Sequence, residues 1–356
     1  MRLNSRVWCG ILPGIAVLLW ACLPATPGVA GAGAQAGASG YHLKKKIKLA
    51  GEGGWDYIAF DSPTRRLFIS RGTKVVVLDV DAEKVVGEIP DTPGVHGIAL
   101  APEFGRGFVS NGRGNNVTIF DLKTLATTGH VAAGQNPDAI IYDASTKRVF
   151  AMNGRSGDIT AVDAATGSVA GTIAVGGKLE FAAADGKGRI YVNVEDKSEL
   201  AAIDAQKLSL IAKWPLAPCQ EPSGLAMDTA RRRLFAGCDN KMMAVVDADT
   251  GKVMATPPIG EGVDANAFDP GTGYAFSSNG RDATLTVVHE DLPGKFAVID
   301  NVPTQRGART MTLDPKTQEV FLVTADYGPP PAPTAENPRP RPPILPDTFV
   351  VLVFAR

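Results

Sequence analysis

Residues 57–89 read YIAFDSPTRRLFISRGTKVVVLDVDAEKVVGEI. Four short runs stand out in it: Tyr57–Phe60, Leu67–Ser70, Val75–Leu78 and Lys84–Ile89, each rich in β-branched or aromatic residues. Ser-Pro-Thr, Arg-Gly-Thr and Asp-Ala-Glu separate them, which is turn chemistry, so the stretch predicts a meander of four short strands. Val75-Val76-Val77-Leu78 is apolar on both faces of the pleat, and such a strand needs cover on both sides rather than water on one.

The same phrase returns along the chain. Its first run closes at Phe60-Asp61, Leu100-Ala101, Tyr142-Asp143, Ala184-Asp185, Met227-Asp228, Phe268-Asp269 and Leu313-Asp314, at spacings of 40, 42, 42, 43, 41 and 45 residues. Its third run closes at Leu78-Asp79, Phe120-Asp121, Val162-Asp163, Ile203-Asp204, Val246-Asp247 and Val288-His289, at spacings of 42, 42, 41, 43 and 42. Two landmarks with one period, each copy made of short strands, predict an all-β, seven-bladed β-propeller with four antiparallel strands per blade.

The last copy is a strand short. After Thr310–Leu313 and Val320–Thr324 the chain has one more apolar run, Phe349–Phe354. The missing strand is expected from the N-terminus. In His42–Leu49, Leu43, Ile47 and Leu49 alternate with Lys44, Lys46 and Lys48, the pattern of an outermost strand half in water. Sharing one blade between the two termini would remove the free edges of an open array. Between the second and third strands of that blade lies the Pro-rich insertion 328–346, which cannot form a ladder and reads as a stiff loop, solvated or docking.

Arg2 and Arg6 precede an apolar stretch from Val7 to Leu23 and then small residues. This is the pattern of a secretory signal peptide over 1–30, with cleavage between about 30 and 36, an Ala/Gly-rich tether over 31–40 and a single mature domain over 41–356. The mature chain is therefore expected in the periplasm or outside the cell, with no stable transmembrane segment and as a monomer. Cys22 opens a lipoprotein reading, against which Trp20 stands where a lipobox takes a small or β-branched residue. Processing removes two of 36 basic residues and none of 37 acidic ones, taking the net charge from −1 to about −3, which disfavours nucleic acid as a partner. Cys219 and Cys238 survive processing, one just before the inner strand of the fifth copy and one closing its second, antiparallel strand, and in an oxidising compartment are expected to pair.

Five residues before each first-run landmark stand Asp56, His96, Asp138, Glu180, Ser223, Asp264 and Arg309, all polar. Inner strands line a propeller's channel, so these side chains should converge at one mouth of it. Three readings follow: plain channel polarity, a small-molecule or anion site, or a divalent metal site formed by Asp56, His96, Asp138 and Glu180. Seventeen residues further on stand Thr73, Arg113, Arg155, Lys197, Asn240, Arg281 and Asp326. The charges there are reciprocal for Asp138 with Arg155, Glu180 with Lys197, Asp264 with Arg281 and Arg309 with Asp326, which predicts intra-blade ion pairs and leaves Asp56 and His96 free. The Asn-Gly-Arg triplets at 111–113, 153–155 and 279–281 read as turns in which Asn-Gly supplies positive φ, placing Arg113, Arg155 and Arg281 on the ring face as ligand-binding candidates. No nucleophile elbow, phosphate loop or His-Glu-x-x-His motif occurs. Trp55, beside Asp56, reads as inter-blade packing or as a stacking platform.

Second strands such as Arg148-Val149-Phe150-Ala151-Met152-Asn153 and Arg189-Ile190-Tyr191-Val192-Asn193, with Val-Asp or Ile-Asp endings and Thr166-Gly167 or Thr250-Gly251-Lys252-Val253, are similar to the YVTN repeat. Over 41–356 the chain resembles the exported YVTN/YncE-like seven-bladed propellers of bacteria. That resemblance implies the fold, mostly without catalysis, and single-stranded DNA binding for some members. Related propellers include calcium- or zinc-dependent lactonases with acidic and Asn ligands in the channel, a set that Ser223 and Arg309 do not reproduce. The leading expectation is a non-catalytic binding or scaffold propeller that engages a small molecule or protein at the ring face. Its rival is a metal-dependent hydrolase or lyase.

Overall fold

The computed structural model describes residues 39–334 and 340–356; the expected signal peptide, and the tether up to residue 38, lie outside them. Seven four-stranded antiparallel sheets form the fold. Blade 1 runs from Ile58 to Ile89, blade 2 from Val95 to Ala132, blade 3 from Pro137 to Ala174 and blade 4 from Leu179 to Pro215. Blade 5 runs from Pro222 to Ala255 and blade 6 from Val263 to Pro303, while blade 7 combines Met311–Asp314, Glu319–Thr324 and Val350–Ala355 with His42–Lys48. Among the described residues, no helix is long and apolar enough to cross a membrane.

Each blade is doubly covered, as a third strand such as Val75–Leu78, apolar on both faces, requires. Seven separate core clusters fill the interfaces between successive blades. Leu67, Ile69, Val75, Val77 and Leu78 of blade 1 are completely buried between blades 7 and 2. The recurring Asp residues close the turns. Asp121 Oδ1 accepts from the backbone N–H of Lys123 and Thr124, and Asp247 Oδ1 from those of Asp249 and Thr250, so a short acceptor fixes the strand-to-strand turn locally.

The ring closes where the sequence places the closure. His42–Lys48 pairs antiparallel with Val350–Ala355, and Leu49 N–H donates to Phe349 O at 3.0 Å. One expected feature fails. Ile47 and Leu49 are buried but Leu43 is 41% exposed, because a bulge between Leu43 and Lys45 throws Leu43 out of step with the apolar face. On the face opposite the ring, Arg65 of blade 1 reaches back to blade 7, with Nη1 2.6 Å from Asp314 and Nη2 2.6 Å from Glu319. Glu319 also receives Lys44 Nζ at 2.8 Å, so the N-terminal strand, the inner half of blade 7 and blade 1 share one ionic latch.

Cys219 and Cys238 are disulfide-bonded across blade 5, with a Cα separation of 5.6 Å. The Asn-Gly-Arg turns differ from expectation: positive φ falls at Asn115, Gly157 and Ala283, beyond the triplets. Asn111, Asn153 and Asn279 instead donate Nδ2 into the third strand, to Thr118, Thr160 and Thr286 at 2.7, 2.9 and 2.8 Å. The glycines answer a steric need. A Cβ at Gly112 would lie 2.5 Å from His96 Nε2, and one at Gly280 would lie 2.8 Å from Arg309 Cβ.

If closure depends on the apolar half of the N-terminal strand alone, Ile47→Ala should lower unfolding stability by about 2–4 kcal/mol. Leu43→Ala should change it by less than about 0.5 kcal/mol. Urea unfolding of the two variants checks this.

Candidate functional site: the ring at the channel mouth

Each ring residue stands at or just before the start of an inner strand, and the backbone carbonyls of Asp138, Arg309, Ser223 and Asp56 are held by the preceding blade. Ser110 Oγ donates to Asp138 O and Ser278 Oγ to Arg309 O. Asn193 Nδ2 donates to Ser223 O at 3.0 Å and Thr310 Oγ1 to Asp56 O at 2.9 Å. These side chains sit near the ends of second strands or next in sequence to the ring, so the repeat itself fixes where the ring points.

Six of the seven ring side chains form one polar circuit. Ser223 Oγ donates to Asp264 Oδ1 at 2.9 Å, and Arg309 Nε donates to Asp264 Oδ2 at 2.6 Å. Arg309 Nη2 lies 3.6 Å from Asp56 Oδ1. Asp56 Oδ2 is 2.5 Å from His96 Nδ1, which is 3.5 Å from Asp138 Oδ1. The circuit thus runs through blades 5, 6, 7, 1, 2 and 3. With Nδ1 turned to the carboxylates, His96 Nε2 faces the Gly112 turn.

Glu180 does not join it. Lys178 Nζ pairs with Glu180 Oε1 at 2.8 Å and also with Glu195, while Tyr57 Oη donates to Glu180 Oε2 at 3.4 Å. Tyr57 belongs to blade 1 and Glu180 to blade 4, so the Tyr57 side chain crosses the channel. Its ring packs 5.0 Å from that of Phe181 within the core between blades 3 and 4. The channel beneath the mouth is therefore crossed by an aromatic bridge.

The predicted intra-blade ion pairs do not form. Arg155 makes no ion pair among the described residues, Lys197 pairs with Asp196, and Arg281 with Glu261. Asp326 accepts from Gln305 at 2.9 Å. A separation of seventeen residues brings both positions to one end of a blade, but the turn arginines point outward and the ring charges pair around the channel. Arg113, Arg155 and Arg281 are exposed and none touches the ring carboxylates. Arg155 does help wall a depression of about 510 Å³ on this face, with Asn136, Ser156, Gly177, Lys178 and Asp196. Trp55 packs on Phe349 and Tyr327 at centroid distances of 5.3 and 6.3 Å, so it serves packing.

Converging carboxylates in a poorly hydrated ring resist ionisation. Burial, with the Asp56 and Asp264 charges and against the attraction of His96, pushes Asp138 up to about 7. Burial and the Asp138 charge push Glu180 up to about 8, against Lys178. Burial also raises Asp264, opposed by Arg309. For His96 burial acts downward, but the hydrogen bond to Asp56 and the charges of Asp138, Asp56 and Glu180 outweigh it and hold the proton. Asp56, His96 and Asp138 also bring one ligand atom each to within 4.8 Å of one another, the donor set of a hard or borderline cation site. Glu180, expected in that set, is diverted by Lys178 and Tyr57.

The sequence reading missed Tyr57, Phe181 and Lys178. A signal existed: at the position after the ring the chain reads Tyr57, Gly97, Ala139, Phe181, Gly224, Ala265 and Thr310, and only two of these are large enough to meet across a channel.

No protein-family model matches this chain, and no curated protein matches it. Among solved structures, Kuenenia stuttgartiensis hydrazine synthase is similar with a TM-score of 0.67 and 15% identity, over 77% of this chain and 94% of that one. The structure of U3-55K is similar with a TM-score of 0.71 and 8% identity, over 87% and 99%. At these identities the likeness is one of fold, and it defines the protein's class as a seven-bladed β-propeller.

Two outcomes follow. Asp138→Ala and Arg155→Ala should be additive within about 0.5 kcal/mol in a double-mutant cycle, while Asp56→Ala and His96→Ala should be sub-additive. Asp138, Glu180 and His96 all bind protons more tightly in the fold than in the unfolded chain. Their contribution is therefore full at low pH and is lost as pH rises to about 8. Urea midpoints should fall between about pH 5 and about pH 9, and Asp138→Asn should flatten that fall.

Proposed function

We propose that this is an exported binding propeller of the YVTN/YncE-like kind, periplasmic or secreted, that engages a small molecule or a protein partner at its ring face. The observation that carries the reading is the circuit from Ser223 to Asp138, in which ring charges satisfy one another above a channel bridged by Tyr57. What the face offers is a preorganised surface of mixed charge beside the depression at Arg155 and Lys178, which suits recognition by polar contacts. Export is supported by the signal-like pattern of residues 1–30, and the Cys219–Cys238 bond suits an oxidising compartment.

The clustering of Asp56, His96 and Asp138 favours a second reading, a metal-dependent hydrolase or lyase. In that reading a divalent cation would replace the proton shared between His96 and its carboxylates, and would supply Lewis acidity at the mouth.

Elemental analysis of the mature protein, purified after export, separates the two. Under the binding reading the protein carries no stoichiometric metal and its melting temperature is unchanged by a chelator. Stoichiometric calcium or zinc that is lost in a folded His96→Ala variant would replace the first reading with the second.

A further inference from the structure

Arg71 is a buried cation without a counter-ion among the described residues. It ends the second strand of blade 1 on the ring face and is 5% exposed. Other partly buried arginines of the molecule reach carboxylates, Arg309 at Asp264 and Arg232 at Asp185 and Asp249. Arg71 reaches none. Its Nη2 donates to Gly51 O at 2.7 Å, its guanidinium stands 3.8 Å from the centroid of Phe349, and its Nη1 is buried with no partner among the described residues. Desolvation accordingly lowers its pKa. A buried charge is costly unless paired and hydrogen-bonded.

Arg71 walls a cavity of about 330 Å³. On one side is the glycine loop at Gly51–Gly53, where Gly51 and Gly53 take φ of +100° and +108°, a conformation open to glycine. On the other side are Ile344, Leu345 and Pro346, where the Pro-rich insertion returns to blade 7, with Phe349 beside them. Ile344 and Leu345 are 38% and 40% exposed, so this wall is apolar and accessible. A second buried donor without a partner among the described residues is Trp55 Nε1, whose ring packs against the same Phe349. A single unpaired guanidinium beside an apolar wall matches a monoanion carrying a hydrocarbon part, and guanidinium geometry fits a carboxylate.

We propose that this cavity is a binding site for a small organic carboxylate, with Arg71 as its anchoring cation and Ile344, Leu345 and Pro346 holding the hydrocarbon part. The site is separate from the polar circuit of the ring. Glu52, exposed at the cavity edge, is the chain's own competitor for Arg71.

The test uses the full mature chain with 3-phenylpropionate as probe and its neutral amide, 3-phenylpropionamide, as control, read by calorimetric titration and thermal unfolding. The acid should bind and raise the melting temperature, and the amide should bind at least about tenfold more weakly. Arg71→Met should abolish acid binding while leaving the unliganded protein as stable as the parent or more so, because it removes an unpaired buried charge. Leu345→Asp, at an exposed position, places a like charge in the cavity and should abolish acid binding whether or not Arg71→Met folds. Glu52→Gln should bind the acid at least as tightly as the parent. Equal binding of acid and amide, binding that survives Arg71→Met or Leu345→Asp, or no binding by the parent would each overturn the proposal. So would binding confined to Glu52→Gln, since Arg71 would then serve its own chain.

Discussion

Everything in this molecule rests on the pairing of His42–Lys48 with Val350–Ala355. A blade buries both faces only when neighbours stand on either side, so an open row of seven would leave two apolar faces in water. The shared blade removes both at once. The interface between blades 7 and 1 is then equivalent to the other six, with its own core of Ile47, Leu67, Ile69, Phe321 and Val351. The ionic latch of Arg65 with Asp314 and Glu319 is added at its outer surface.

Closure also creates the electrostatic problem at the mouth. Once the inner strands are held at one radius, Asp56, Asp138, Glu180 and Asp264 face a common space of reduced hydration. Burial first, and repulsion between like charges after it, raise the pKa of Asp138, Glu180 and Asp264. The molecule answers with cations of different origin: Arg309 and His96 from the ring itself, and Lys178 from two residues ahead of Glu180. Two carboxyls still hold their protons near neutrality. A mouth of this kind is tuned by whatever charge approaches it, the physical property that a recognition surface requires.

The closing blade is also where the chain is least regular. The chain between Lys48 and Ile58 crosses from blade 7 to blade 1, and the Pro-rich insertion interrupts blade 7 between Thr324 and Val350. Both border Arg71. Where these two long connections meet, they leave a cavity with a cation in its wall.

The number of blades, the strand order, the closure, the ring positions and the nearness of the two cysteines, one before the first strand of blade 5 and one ending its second, were legible in the sequence, because each is written as a period or an alternation within about one repeat. The pairing of the ring charges was not. His96 with Asp56, Arg309 with Asp264 and Tyr57 with Glu180 are separated by 40, 45 and 123 residues, and a fixed offset within the blade pointed to other partners. The need for glycine at 112 and 280, the escape of Leu43 from the apolar face and the isolation of Arg71 were likewise decided only in three dimensions. A repeat encodes what each blade does to itself. What blades do to one another depends on side chains meeting across a closed ring, where distance in space no longer follows distance along the chain.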